Sequence, residues 1–320
     1  MAKTKCIDSI CVHGSTGSGK TTLVESLSRV VRSRLGEDKI VRLYSANADG
    51  WGVIEPSVKL GHVVPLWVPG MIVFYRLKKA QVDIPVNSVY VIDKITKGWW
   101  PVDPDNPLSK WIPPEKQEEW EKVGGVVFDS GTDYADLIMR NALLKEAGTN
   151  KLMGIATQDG TNLYQDGIPK EVSEDGDEVT YLSAAQAHYG AVQNRIDQFI
   201  NQSKNIPDVY VMWTFLTEKG KEKDQHRSVF GPDVIGTAIN AKVPSWFGRT
   251  LNLMADKRGI RYLWLHEHEK DGDIYMANVR ESKDARLPDC LKDKEANLFT
   301  LYEKLDESVE RAMEIQKGGK

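Results

Sequence analysis

A chain that passes from an apolar run into a helical pattern through Gly14-Ser15-Thr16-Gly17-Ser18-Gly19-Lys20-Thr21-Thr22 has few architectures open to it. Upstream, Ile7, Ile10, Cys11 and Val12 form a short β-rich run. Downstream, Leu23, Val24, Leu27, Val30 and Val31 recur at helical spacing up to a stop at Gly36. A strand, a G-x-x-x-x-G-K-[ST] turn and a helix in this order form a phosphate-binding loop, whose backbone N–H groups face phosphate oxygens at a helix N-terminus. Gly14, Gly17 and Gly19 provide turn geometry and close backbone approach that a Cβ obstructs. Lys20 sets a point charge against the β- and γ-phosphates, and Thr21 offers its hydroxyl to Mg²⁺. The whole loop, with Ser15, Thr16, Ser18 and Thr22, is therefore the expected nucleotide-binding segment, with ATP the expected ligand.

A second signal lies at Val123 to Ser130, an apolar strand ending in an acid and followed by helical periodicity from Thr132 to Ala147. A carboxylate at the C-terminal edge of a parallel strand beside a phosphate loop holds Mg²⁺ directly or through water. Asp129 is the residue so placed. The plainer reading is a helix cap, for which Ser130 and Asp133 are also available.

Elsewhere the pattern alternates. Ile40 to Ser45, His62 to Val68 and Asp208 to Phe215 read as strands. Trp51 to Leu60, Met71 to Ala80 and Ala184 to Asn201 read as helices. Gly98 to Pro114, dense in Pro, Trp and Asp, reads as an ordered irregular loop held down by its tryptophans, and Gln158 to Asp177 as a polar surface loop. Lys219 to Arg227 is a charged loop, with a solvated hairpin as its plain reading. Phe230-Gly231-Pro232 is expected to open a small-residue helix reaching about Ala241. Thr250 to Ala255, Arg261 to Leu265 and Ile274 to Val279 complete the strands, the last entered through the turn Asp271-Gly272-Asp273. His266 and His268 invite a metal site, yet no third ligand stands near them in sequence. From Asp293 to Lys317, Leu298, Leu301, Leu305, Val309 and Met313 recur every three or four residues, as on an amphipathic docking helix.

Composition sets outer bounds. The 320 residues are 41% hydrophobic and 28% charged with a formal net charge of −4, so no global basic footprint marks a nucleic-acid binder; such contact has to come from a local patch or from assembly. Cys6, Cys11 and Cys290 lack metal-ligand spacing and suit a reducing cytoplasm. No apolar stretch has the length of a membrane span or a signal peptide, so a soluble cytoplasmic protein is expected, in the host cytoplasm if the chain is viral. The expected division is an ATPase domain over residues 1–290, with irregular insertions near 98–120 and 150–182, and an amphipathic helix over 291–320.

Three stretches together resemble the RecA-like P-loop ATPases of tailed bacteriophages, including the single-strand-annealing recombination ATPases. They are Gly14 to Thr22, Val126-Val127-Phe128-Asp129-Ser130-Gly131-Thr132, and Phe230-Gly231-Pro232-Asp233-Val234-Ile235-Gly236. The likeness runs from about Ser9 to Arg280. It implies an α/β fold with a mainly parallel sheet flanked by helices, C-terminal antiparallel strands and a terminal helix. It implies a catalytic acid after the second strand, a place taken here by Asp49 where Glu is usual in RecA proper, with Glu55 as the fallback. It further implies a γ-phosphate sensor at the end of the fourth core strand, either Thr214 or Glu218, although neither is the usual Gln. A cation donated across a subunit interface falls to Lys242, Arg227 or Arg249. By the same analogy the chain acts as a homo-oligomer on DNA, single-stranded by preference, in recombination or replication, and without a membrane partner.

The expected activity is therefore Mg²⁺-dependent ATP hydrolysis, with Lys20 and Thr21 on the phosphates and metal, Asp129 completing the metal site and Asp49 positioning water. Two alternatives stay open: a P-loop kinase acting on a small molecule, and a nucleotide-gated phage assembly factor without catalysis.

Overall fold

The computed structural model describes residues 5–77, 82–143, 170–172, 178–180, 186–220, 228–235, 242–280 and 286–318. In chain order the strands are β1 (Asp8–His13), β2 (Ile40–Ser45), β3 (Val63–Trp67), β4 (Phe74–Leu77), β5 (Val82–Pro85), β6 (Trp100–Pro101), β7 (Trp111–Ile112), β8 (Val123–Asp129), β9 (Lys170–Val172), β10 (Glu178–Thr180), β11 (Tyr210–Phe215), β12 (Thr217–Gly220), β13 (Val229–Pro232), β14 (Arg249–Ala255), β15 (Arg261–Trp264), β16 (His266–Lys270), β17 (Asp273–Val279) and β18 (Cys290–Lys292). The longer helices are α1 (Thr22–Leu35), α3 (Ser88–Ile95), α4 (Gly131–Leu143) and α5 (Gln186–Ser203), with the short α2 (Glu55–Lys59) after β2 and a terminal helix, Leu298–Gly318.

Among the described residues twelve strands form one sheet, in the order β12-β13-β17-β14-β1-β11-β8-β2-β3, with β15 on β14, β16 on β17 and β18 on β15. From β14 to β3 every neighbouring pair is parallel. The C-terminal additions are mostly antiparallel. This is the mainly parallel α/β architecture, with antiparallel C-terminal strands and a closing helix, that the phosphate-loop resemblance implies.

Both faces of the parallel strands are buried, so their sequences run apolar rather than alternating. One face packs α3, α4 and α5 through Val91, Ile92, Tyr134, Ile138, Ile196 and Phe199. The other packs α1 and the terminal helix through Leu23, Leu27, Val31, Leu298 and Leu301. Across the first face Tyr44 on β2, Phe128 on β8 and Trp213 on β11 stack from strand to strand, and Phe215 continues the row along β11, with ring centroids 5.5, 4.4 and 6.2 Å apart. Their planes lie near parallel, an offset arrangement that aromatic quadrupoles favour. α1 ends where its periodicity does, the Gly36 N–H reaching Arg32 O. The terminal helix docks on α1: Leu298 N–H reaches Ser26 Oγ at 3.1 Å, and the Arg29 guanidinium lies 4.6 Å from the Phe299 ring centroid. Its apolar stripe outruns the contact, for Val309 and Met313 are half exposed.

Several expectations need correction. Within the expected helix Met71 to Ala80, Phe74–Leu77 is instead the strand β4, antiparallel to β5 with Phe74 opposite Pro85 and Tyr75 opposite Ile84, while 78–80 lie outside the described residues. The β-branched and aromatic residues Ile72, Val73, Phe74 and Tyr75 lose rotamer freedom on a helix and suit a strand. Phe230-Gly231-Pro232 lies within β13, which pairs with both β12 and β17, and does not begin a helix; the rest of that expected helix, 236–241, lies outside the described residues. α3 has no counterpart in the sequence reading. The charged segment begins inside β12, with Lys219 opposite Phe230 of the antiparallel β13, while 221–227 lie outside the described residues. The polar segment Gln158 to Asp177 also lies outside them, apart from Lys170–Val172, which pairs with β10.

Irregular structure does occupy most of Gly98 to Pro114, anchored by the Trp100–Ile112 and Pro101–Trp111 pairs and by buried Trp111. Arg42, buried on β2, sits 4.5 Å from the Trp100 ring centroid and 5.4 Å from that of Trp120, and donates to Gln117 Oε1. One strand cation thereby ties both ends of the 98–122 segment to the sheet. The register shifts between His266 and His268, and His268 stacks between Trp264 and Tyr275. Among the described residues no three metal-ligating side chains come together, there or elsewhere.

Candidate phosphate-binding site

β1 delivers the chain to Gly14 and α1 takes it up at Thr22, so Gly14 to Thr21 wraps the N-terminus of α1. The loop excludes a side chain at Gly14 by close backbone approach and disfavours one at Gly19 by its left-handed backbone. A Cβ on Gly14 would stand 2.3 Å from Leu253 O on β14. Gly19 has φ +98°, and a Cβ there would meet the Arg261 guanidinium at 3.0 Å. Lys20 folds back over the loop, its Nζ donating to Gly14 O at 2.7 Å and Ser15 O at 2.9 Å.

The register explains how residues 85 and 108 positions apart meet. β11 lies between β1 and β8, pairing Val12 with Thr214 on one side and Phe128 with Trp213 on the other. Asp129 and Thr214 therefore sit side by side at the C-terminal edge of the sheet. Thr21 Oγ1 donates to Asp129 Oδ2 at 3.0 Å, and Thr214 Oγ1 donates to Asp129 Oδ1. The peptide joining Asp129 to Ser130 is cis, and Ser130 Oγ turns to Asp133 Oδ2. The cap of α4 thus comes from Ser130, whose Oγ also accepts the Asp133 N–H at 3.3 Å, which leaves the Asp129 carboxylate to the cleft.

Burial pushes the Asp129 carboxyl above the ordinary range, and nearby Asp133 adds to the shift. The hydroxyls of Thr214 and Thr21 and the charge of Lys20 work against it. Burial lowers Lys20, opposed by Asp129 and Asp133. Each charge thus makes the other less costly, although among the described residues the two form no direct ion pair.

A cleft of about 390 Å³ opens over this edge, lined by Thr16, Gly17, Gly19, Lys20, Thr21, Thr22, Asn47, Gly50, Val53, Asp129, Ser130, Asp133, Leu216 and Arg261. The residues fit the ligands the loop implies. A glycine cradle with a lysine suits a phosphate chain, and a hydroxyl beside a carboxylate is the oxygen donor set of a hard divalent cation.

The other expected residues divide. Asp49 lies in the 3-10 turn Ala48–Ile54, between Asn47 and Gly50 of the cleft wall, and the structure describes its backbone only. Glu55 pairs with Lys59 at 2.7 Å on α2 and does not line the cleft. Thr214 is fully buried and reaches the site only through Asp129. Glu218 is exposed on β12 and faces Asp233, and it is Leu216 of that turn that lines the cleft. Burial first, then the hydrogen bond and charge of Glu218, push the Asp233 carboxyl up to about 7. Arg249 begins β14 at the opposite end of the sheet, its Nε 2.5 Å from Asp8 Oδ2, which commits it within its own chain. Lys242 precedes the 3-10 turn Val243–Trp246 away from the cleft, and Arg227 lies outside the described residues.

Sequence reading missed Arg261, Asn47, Ser130 and Asp133 as cleft residues. The last two sit beside the acid already singled out. Arg261 carried no local signal, since only the β14–β15 pairing brings it to the loop.

Among solved structures the chain is similar to the RadB recombinase, at 10% identity and TM-score 0.39, over 85% of this chain and 86% of that one. It is also similar to a KaiC-like protein, PH0186, from the hyperthermophilic archaeon Pyrococcus horikoshii OT3, at 10% identity and TM-score 0.33, over 80% and 77%. No family model and no curated protein matches the chain.

Proposed function

We propose that this chain hydrolyses ATP at the cleft over Lys20, Thr21 and Asp129, as the motor or switch of a homo-oligomer acting on single-stranded DNA. The observation that carries the reading is the shared carboxylate: Asp129 accepts the hydroxyls of Thr21 and Thr214 beside Lys20, all at the C-terminal edge of parallel strands. In such sheets that edge is where ligands bind. The loop N–H groups hold the phosphate chain, and Lys20 exchanges its two carbonyl partners for phosphate oxygens. Thr21 and Asp129 are the residues that would hold Mg²⁺, which when bound neutralises charge on the β- and γ-phosphate oxygens. Thr214 keeps the carboxylate turned toward Thr21. Asp49, carried on the cleft wall, orients the attacking water. The DNA partner, the assembly and a role in phage recombination rest on the resemblance of the three sequence stretches.

The test is ATP turnover by the wild type and by Lys20→Ala, without DNA, with single-stranded DNA and with duplex DNA, with and without Mg²⁺. Turnover that needs Mg²⁺, rises with single-stranded DNA and vanishes in the variant is expected. Wild-type rates no higher than those of Lys20→Ala under every condition would sink the hydrolytic reading.

A further inference from the structure

Arg261 opens β15, opposite Ala255 on β14. The hairpin joining the two strands is held by its own backbone. Asp256 N–H donates to Ile260 O at 2.9 Å, and Asp256 Oδ1 accepts the N–H groups of Arg258 at 2.8 Å and Ile260 at 3.0 Å. This hairpin lies against both ends of the phosphate loop, through Leu253 O at Gly14 and the Arg261 guanidinium at Gly19. Arg261 Cζ and Nε are each 3.0 Å, and Nη1 3.4 Å, from the place of a Gly19 Cβ, so the guanidinium lies close over the loop backbone. Arg34 and Arg249 are each engaged by a carboxylate. Among the described residues no hydrogen bond or ion pair engages the Arg261 side chain, which lines the cleft with Lys20 and Thr22.

We propose that Arg261 is a phosphate ligand supplied by the same chain, its guanidinium binding the phosphate chain of a nucleotide seated on Gly19; this rests on the nucleotide reading of the cleft. A planar guanidinium offers five N–H donors in a fixed fork that matches phosphate oxygens, and a bound anion gives it the partner it lacks within the chain. The charge count agrees. Asp129 and Asp133 set two carboxylates in the cleft against Lys20, so the Arg261 guanidinium on the same lining adds positive potential where a multiply charged phosphate chain would sit. Because β15 is fixed through β14 to β1, this cation is present in every copy of the chain and does not wait for a neighbour.

The experiment measures binding of a fluorescent ADP analogue, and its displacement by inorganic tripolyphosphate, for wild type, Arg261→Ala and Arg261→Lys at high dilution. Thermal melting of each variant without ligand establishes that it is folded. At least a tenfold weakening is expected for both ligands in Arg261→Ala, with Arg261→Lys in between and the difference shrinking as salt rises. Wild-type binding that Arg261→Ala leaves unchanged overturns this inference and spares the nucleotide reading. Weakened ADP binding with unchanged tripolyphosphate binding also overturns it, because the arginine then serves the nucleoside. Failure of the wild type to bind either ligand removes the nucleotide reading itself.

Discussion

The two ends of the parallel sheet treat their charges in opposite ways. At the N-terminal end Asp8 accepts from Arg249 Nε at 2.5 Å and from the Tyr302 hydroxyl at 2.7 Å, and Arg34 pairs with Asp306. Opposite charges there neutralise one another. At the C-terminal end Lys20 rests on two carbonyls and Asp129 on two hydroxyls, close enough to shift each other's titration but without an ion pair. A buried charge held only by neutral dipoles costs stability, and one held by its opposite recovers part of that cost, so that removing its partner is what destabilises. The first end is closed by its own ion pairs; the second leaves Lys20 and Asp129 on neutral partners, the arrangement that the proposed nucleotide and metal would exchange for opposite charges.

Asp129→Asn should break the comparison most sharply. It removes a carboxylate that burial already disfavours, so the melting temperature at pH 7 should hold or rise. Turnover should fall about 1000-fold, near 4 kcal/mol of transition-state stabilisation. A joint loss of stability and activity would mean that the carboxylate is a structural group like Asp8.

His13 comes next, because it shows that not every polar group at the C-terminal end is kept available. It is fully buried at the end of β1, with Nε2 donating to Met276 O at 2.6 Å and Nδ1 left to accept from Thr217 Oγ1 at 2.9 Å. Burial, outweighing the bond to Met276, lowers its pKa from 6.5 to about 4. Below pH 6.5 the unfolded chain takes up a proton that the folded chain refuses. This contribution to stability is therefore complete above pH 6.5 and is lost as the pH falls toward 4, by about 3 kcal/mol over the window. Urea unfolding at pH 7 and pH 5 should show the drop, and His13→Gln should flatten it. An equally steep profile in the variant would place the titration elsewhere, with half-buried His268, also lowered to about 4, the first suspect.

The smallest expected effect is at the closed end. Asp8→Asn leaves the mostly buried Arg249 without its counter-charge and should cost about 2 kcal/mol in urea unfolding, with turnover unchanged within about twofold. A large loss of turnover would mean that the two ends are coupled through β1.

How far each end was legible follows from how local its determinants are. The loop, α1 and the acid at the end of β8 announce themselves within windows of about ten residues, through glycine spacing and apolar runs. Thr214 was reachable as the polar residue in an apolar strand, although its partner is Asp129 and nothing in its neighbourhood says so. Arg261 and Asp8 depend on pairings between residues 240 or more apart: β14–β15 against the loop, and Arg249 against Asp8. The misread elements have a similar cause. Met71 to Ala80 is apolar enough for either state, and the strand is decided by its partner β5. Phe230 to Pro232 has the small residues of a helix start, and β12 and β17 claim it from both sides.

The position of β1 also orders events in time. Its neighbours are Tyr210–Phe215 and Arg249–Ala255, so the strand that launches the phosphate loop is made early and flanked late. Until a ribosome has passed Ala255, Gly14 has no Leu253 carbonyl against it, and until Arg261 follows, Gly19 is bare. Contacts this distant in sequence form slowly because a long loop must close before they repay it. A nascent chain carrying every residue of the glycine motif thus still lacks the strand and the side chain that lie against Gly14 and Gly19, and this wall of the cleft is completed only with the last quarter of the polypeptide.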